Sequence, residues 1–255
     1  MQSKLNNSEI MKYVLSDNLI TFAHKVSRIP GMKKCLKPFY YSYKQTLENK
    51  RRKLFLKNAY SVMADFDDAL SSIGVNYSLA FGTLLGAVRE GGFIKHDLDL
   101  DTAIWYEDYS SLIQEVLESH GFILSHSFML EGGKKGMEET YVKDDVSVDI
   151  FYVYSAINHY PYMCLWSAVE GTTTVKESMQ QHGFVEVGRL ELPFSKETQR
   201  IKFGPLQLPA ITNRLDFLEK RYGPNYMIPD PTWQLSTEDT CYVMWNGKMA
   251  TYIEY

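Results

Sequence analysis

The chain has 255 residues, 45% of them apolar and 14% aromatic, with 18 Tyr and a formal net charge of −4. That length suits one large domain or two small ones, and so much apolar and aromatic side chain excludes intrinsic disorder. No apolar run reaches the roughly 18 residues that span a bilayer, and Cys35, Cys164 and Cys241 form an odd, scattered set without metal-ligand spacing, as expected of reduced thiols in a cytosolic protein.

Charge divides the chain. Residues 1–58 carry 13 Lys/Arg against three acids, Glu9, Asp17 and Glu48, a balance of +10; the remainder balances at −14. The first residues lack the basic-then-apolar order of a signal peptide. Apolar spacing in residues 8–28 is helical in places and is broken by Pro30-Gly31. KCLKPFYYSYKQ, from residue 34, is basic and aromatic. Two readings of this arm stay open: a solvated helical face, or a surface apposed to a polyanion or an anionic leaflet.

Residues 52–73 predict a long helix, with Phe55, Tyr60, Val62, Met63, Phe66, Leu70 and Ile73 as its apolar stripe and Gly74 as its left-handed stop. Residues 75–80 read as a strand. Gly82-Thr83 is expected to make a turn, with a short helix from Leu84 to Arg89 broken by Gly91-Gly92. A second strand is expected over 98–105, then an amphipathic helix over 109–120 with Leu112, Ile113, Val116 and Leu117 inward. Strands follow over 122–130, 137–143 and 146–154, the last two joined at Asp144-Asp145. Beyond residue 155 the pattern weakens to β-like pieces near 183–193 and 200–209, a helix over 211–222 ending at Gly223-Pro224, and an aromatic, turn-rich tail. The order predicts an α+β fold: a mixed sheet flanked by helices, with a helical N-terminal and an irregular C-terminal addition. The expected division is a basic arm, 1–53, and a catalytic domain, 54–255.

The chemistry concentrates in GTLLGAVREGGFIKHDLDLDTAIW, residues 82–105. Asp97, Asp99 and Asp101 alternate, so on a strand they share one face. Carboxylates so close repel unless protonated, hydrogen-bonded or neutralised by a cation, and their hard oxygens suit Mg²⁺ or Mn²⁺. In VSVDIFYV, Asp149 faces away from Val146, Val148, Ile150 and Tyr152. Were that strand to lie beside 98–105, Asp149 would complete the cluster. Carboxylates about 6.5–7 Å apart along a strand admit two metal ions of the kind that serve phosphoryl or nucleotidyl transfer. Gly82 lets backbone approach a phosphate, Thr83 can cap the helix and touch a phosphate oxygen, Arg89 can clamp it, and His96 can contact a ligand or orient Asp97. Arg89 could equally pair with Glu90, and His96 could be a plain loop histidine.

GTLLGAVREGGFIKHDLDLD resembles the signature of the LicD family, VSVDIFYV its later acidic strand, and RYGPNYMIPDP at 221–231 its closing element. Lys95-His96 replaces the family's Pro-Trp, and Leu98 its middle Asp, which leaves the alternation of the acids intact. The resemblance implies the nucleotidyltransferase fold of the DNA polymerase beta type. It implies Asp99 and Asp101 as paired metal ligands, Asp149 as third carboxylate and base, and Asp97 as ligand or support. The implied activity moves a phospho-alcohol, with choline, glycerol or ribitol as the alcohol, from a CDP-activated donor to a hydroxyl of a surface glycan precursor, releasing CMP. A lipid-linked oligosaccharide acceptor would set the basic arm on the inner face of the membrane; nucleic acid is not an expected partner. Nucleotidyl transfer, metal-dependent glycosyl transfer and a noncatalytic role in glycan assembly are the rival readings.

Overall fold

The structure is a computed structural model that describes residues 32–94, 97–157, 159–230, 233 and 241–255. The helical spacing read in 8–28, the Pro30-Gly31 break and His96 lie outside the described residues. Contacts divide the chain into two units, Met1–Arg51 and Arg52–Tyr255. In the first, the described residues are helical. They belong to α1, Met32–Ser72, which starts well before the expected residue 52 and runs through Pro38.

In the second unit α1 carries the apolar stripe that its spacing predicts. Phe55, Ala59, Val62, Met63, Phe66, Ala69 and Leu70 are all at most 1% exposed. Helical spacing puts these side chains on one face, and that face is core. Phe66 packs edge-on against Tyr77 at 5.2 Å and Phe122 at 6.0 Å. Gly74 ends the turn at φ +70°, a conformation that a residue without Cβ adopts freely.

The sheet has eight strands: β1 (Tyr77–Leu79), β2 (Asp99–Trp105), β3 (Ile123–Leu130), β4 (Gly136–Lys143), β5 (Val146–Val153), β6 (Tyr162–Ser167), β7 (Val185–Glu191) and, last in sequence, β10 (Tyr242–Glu254). Their spatial order is β1-β2-β5-β4-β3-β10-β7-β6. Among the described residues only β2 and β5 pair in parallel; the other ladders of this sheet are antiparallel. The sheet curls, so that Tyr162 at the start of β6 exchanges both backbone hydrogen bonds with Tyr154, just past β5. A separate hairpin, β8 (Thr198–Phe203) and β9 (Leu206–Ile211), lies outside this sheet. The helices of this unit are α2 (Phe81–Arg89), α3 (Ser111–Ser119), α4 (Val175–His182) and α5 (Arg214–Tyr222). This is the expected mixed sheet flanked by helices.

The differences from the expected elements are local. α3 buries Ile113 and Leu117, whereas Leu112 is 47% exposed: a helix only nine residues long presents a narrow stripe to the sheet. β6 and α4 fall where the apolar pattern is weak. The aromatic tail holds β10, a thirteen-residue strand inside the sheet between β3 and β7, with an irregularity between Met244 and Met249.

Candidate active site

Parallel pairing of β2 with β5 sets Asp101 directly beside Asp149, and Asp99 beside Ser147. Antiparallel pairing of β5 with β4 sets Thr140 on the far side of Asp149 and Glu138 beside Phe151. Neighbours across a ladder point to the same face. One face of the sheet therefore carries Asp99, Asp101, Asp149, Thr140 and Glu138 across three strands.

Three of the aspartates, Asp101, Asp149 and Asp97, are held by hydrogen bonds at their sides of the site. The Gly82 and Thr83 amides donate to Asp101 Oδ2 at 2.9 and 3.4 Å, and the Asp101 amide donates to Thr83 Oγ1 at 2.8 Å. Thr140 Oγ1 donates to Asp149 Oδ1 at 2.6 Å. Asp97 accepts from the Ile94 amide at 2.7 Å. It lies in the turn ahead of β2, not on the strand where alternation had placed it.

These contacts correct the reading of Gly82-Thr83. They are not a turn before a helix at Leu84; α2 begins at Phe81, and Gly82 and Thr83 form its first turn. The cap residue is Ala80, without a side-chain cap bond, so Thr83 is free to serve Asp101. A Cβ on Gly82 would stand 3.1 Å from Asp101 Oδ2 and 3.9 Å from Asp97 Oδ1. Glycine is thus what lets the two carboxylates converge on the start of α2. Phe81 begins that helix at φ +36°, a rare conformation for a bulky residue, and its ring is pinned edge-on against Phe151 at 4.8 Å.

Burial dominates the electrostatics. It raises the Asp101 carboxyl well above the ordinary range, helped by the charges of Asp99 and Asp149 and opposed by the Thr83 and Gly82 amides. Asp149 is pushed up to about 7, by burial first, with Thr140 pulling down and Asp99 pushing up. Asp97 is pushed up to about 6 by burial, against the Ile94 amide and the Arg89 charge. Arg89 itself bonds Glu90 at 3.0 Å, one of the two roles read for it, and reaches the Tyr226 carbonyl at 3.4 Å.

Glu138 escaped the sequence reading. It is buried, raised by burial and by Asp149, and its Oε2 accepts from Trp166 Nε1 at 2.8 Å. Its signal is the Glu138/Thr140 alternation within GMEETYVK, which becomes informative only once β4 is known to neighbour β5.

A carboxylate donor set of which burial drives Asp97, Asp101 and Asp149 toward protonation fits a hard divalent cation, which would let the acids ionise. Asp99, Asp101 and Asp149 are the residues that would hold it, with Asp97 beside them. Among the described residues no three His, Cys, Asp or Glu side chains are gathered into a ready-made coordination shell.

A family model described as "LicD/FKTN/FKRP, nucleotidyltransferase domain" matches residues 74–211, more than half of the chain. The chain belongs to the LicD family. It is 28% identical over 185 residues to the Homo sapiens protein named ribitol-5-phosphate transferase FKTN, covering 70% of this chain and 35% of that one. To the Mus musculus ribitol 5-phosphate transferase FKRP it is 28% identical over 169 residues, covering 64% and 31%. To the uncharacterized protein RP689 of Rickettsia prowazekii (strain Madrid E) it is 26% identical over 166 residues, covering 64% and 53%. The chain thus spans about a third of the length of these two transferases. The family window contains Gly82, Thr83, Arg89, the four aspartates and Glu138; α5 and Trp233 lie beyond it.

Proposed function

We propose that the chain is a metal-dependent phosphotransferase. It would move a phospho-alcohol from a nucleotide-activated donor, a CDP-alcohol, to a hydroxyl of a glycan or lipid-linked oligosaccharide. The observation that carries this reading is the side-by-side placement of Asp101 and Asp149 on parallel strands, with Asp99 on the same face. The relatives' name, ribitol-5-phosphate transferase, supports ribitol phosphate as the group moved; glycerol phosphate and phosphocholine share its chemistry.

The acceptor hydroxyl attacks the phosphorus next to the alcohol. A new P–O bond forms, the bridging P–O bond to CMP breaks, and CMP leaves with the electron pair. Asp149 takes the hydroxyl proton, and Thr140, donating to its Oδ1 at 2.6 Å, fixes the direction of its oxygen. The Gly82 and Thr83 amides favour the ionised form of Asp101 and fix its orientation. A bound Mg²⁺ or Mn²⁺ supplies charge neutralisation at the diphosphate.

The test is CMP release from CDP-ribitol, CDP-glycerol and CDP-choline with a glycan acceptor, with and without EDTA. Asp99→Asn and Asp101→Asn should each lower turnover by orders of magnitude, since a metal centre stabilises several kcal/mol of transition-state charge. Near-normal turnover in either variant, or full activity in EDTA, would overturn the site. Nucleotidyl transfer is the second reading, favoured by the description of the matched family model. Product mass separates the two, because the rival leaves NMP on the acceptor. For the arm we propose peripheral contact with an anionic membrane surface, supported by its balance of +10. No helix among the described residues is long and apolar enough to cross a membrane.

A further inference from the structure

Asp99 and Asp101 take their places from the ladder of β2 with β5. Asp97 lies ahead of that ladder, so something else must place it. Residues 91–94, just before it, lie along α2 at Gly86. The Gly92 amide donates to the Gly86 carbonyl at 3.2 Å. A Cβ on Gly86 would overlap the Gly92 carbonyl oxygen and stand 3.1 Å from the Ile94 nitrogen. That nitrogen is the donor to Asp97 Oδ2 at 2.7 Å, and the Asp97 amide returns a bond to the Ile94 carbonyl at 3.0 Å. The approach of Ile94 to α2 therefore sets where the Asp97 carboxylate stands, beside Asp101 over Gly82.

Two further elements press these residues onto α2, and nothing in the mechanism above uses either. The first is the β8–β9 turn: the Gly204 amide donates to the Gly91 carbonyl at 2.6 Å. The second is Tyr60 of α1, which lies against both glycines. A Cβ on Gly92 would stand 2.6 Å from the Tyr60 hydroxyl, and one on Gly204 would overlap the Tyr60 ring. Phe93 enters a box of rings, with Tyr60 at 4.5 Å, Phe203 at 4.7 Å and Phe55 at 5.0 Å between centroids. Phe55 and Phe203 belong to the fully buried core. Packing this close has little compressibility, so a displacement of one member is passed to the next. Tyr60, the turn at Gly204, residues 91–94, the Ile94 amide and Asp97 thus form one chain of contacts.

We propose that Tyr60 and the β8–β9 turn are positioning elements of the metal centre. They clamp residues 91–94 against α2 and, through the Ile94 amide, hold Asp97 beside Asp101 for a divalent cation. The proposal rests on the metal-dependent reading of the carboxylates and names residues outside the acidic motif on which cation affinity depends.

Two measurements on the full chain test it, both without turnover. One is hydrogen exchange at the Ile94 amide in EDTA, read by NMR. The other is calorimetric titration of the metal-free chain with Mn²⁺ and with Mg²⁺. Gly92→Ala drives a methyl group against the Tyr60 hydroxyl, and should speed Ile94 exchange and weaken both cations at least tenfold. Tyr60→Phe removes that oxygen and keeps the ring, so the double variant Gly92→Ala/Tyr60→Phe should return exchange and affinity to within threefold of the wild type. Phe66→Leu, which loosens the core away from the clamp, should leave cation affinity within twofold, so that lost stability alone does not account for the effect. Wild-type exchange and affinity in Gly92→Ala would overturn the proposal. So would faster exchange with unchanged affinity, which would reduce the clamp to packing, or a double variant no better than Gly92→Ala. If Gly92→Ala does not fold, Phe93→Leu, which empties part of the ring box, carries the same two measurements with the same expected losses. A wild type that binds neither cation defeats the metal-dependent reading and this inference with it; tight binding that ignores the clamp variants defeats this inference and leaves that reading standing.

Discussion

Asp101 and Asp149 owe their character to a conflict between burial and charge. A buried carboxyl whose proton is held up to about 7 in the fold, against 3.8 ordinarily, binds a proton that the unfolded chain has released. The contribution of these acids to the stability of the metal-free protein should therefore be largest near pH 4 and fall as pH rises, up to about 6 for Asp97 and about 7 for Asp149, because over that window the unfolded chain releases protons that the fold retains. Asp149→Asn should flatten that slope, and Mg²⁺ should oppose it by favouring the ionised acids. Thermal melts between pH 4 and 8 in EDTA check this; a melting temperature that climbs over that window would refute it. Alternation in the sequence made Asp99, Asp101 and Asp149 visible because a strand's period is short and its faces are chemically distinct. Asp97 fits the same alternation but lies off the strand, since a period says nothing of where a strand begins. Glu138 was invisible for a different reason: it acquires meaning from a neighbour far away in sequence, Asp149.

At the scale of elements, α2 is the part on which the site depends. Its first turn has Gly82 where a methyl group would stand 3.1 Å from Asp101 Oδ2, tighter than ordinary contact. Gly82→Ala should push the carboxylate off its two amides and lower turnover at least tenfold, while stability changes by only about 1 kcal/mol, since alanine is a better helix former and offsets part of the strain. Equal losses of activity and stability would show that Gly82 serves folding alone. Phe66 in α1 gives the contrasting case. Fully buried between Tyr77 and Phe122, it should lose about 3–5 kcal/mol as Phe66→Ala in urea unfolding. The elements that sequence revealed, the second half of α1, α3 and β3 to β5, have a clear apolar period or a sharp turn such as Asp144-Asp145, both at positive φ. Those it missed carry a contrary or a mixed signal. Residues 32–51 of α1 contain Pro38, ordinarily a break signal, in a lysine-rich run. β10 mixes Met, Trp, Asn, Gly and Lys, and is a strand because β3 and β7 supply ladder partners on both edges.

Over the whole molecule, charge separates as the chemistry does. The carboxylates all fall in the acidic remainder of the chain, while residues 1–58 hold a balance of +10. Lys50, Arg51 and Lys53 are exposed on α1. A lysine or arginine near an anionic leaflet contributes on the order of 1 kcal/mol, so a handful of them suffices for peripheral attachment. Exposed charges are screened within about 10 Å at 0.1 M salt, so that attachment should reverse with salt. The full chain should sediment with phosphatidylglycerol vesicles at low ionic strength and return to the supernatant at high ionic strength. Replacing Lys33, Lys34, Lys37 and the run Lys50-Arg51-Arg52-Lys53 with Gln should abolish sedimentation. The same variant should lose activity on a lipid-linked acceptor and keep it on a soluble analogue, because none of these residues belongs to the metal-binding face. Wild-type protein that stays in the supernatant at low salt, or a neutralised variant equally impaired on both acceptors, would leave the arm as a solvated face and remove the membrane from the account.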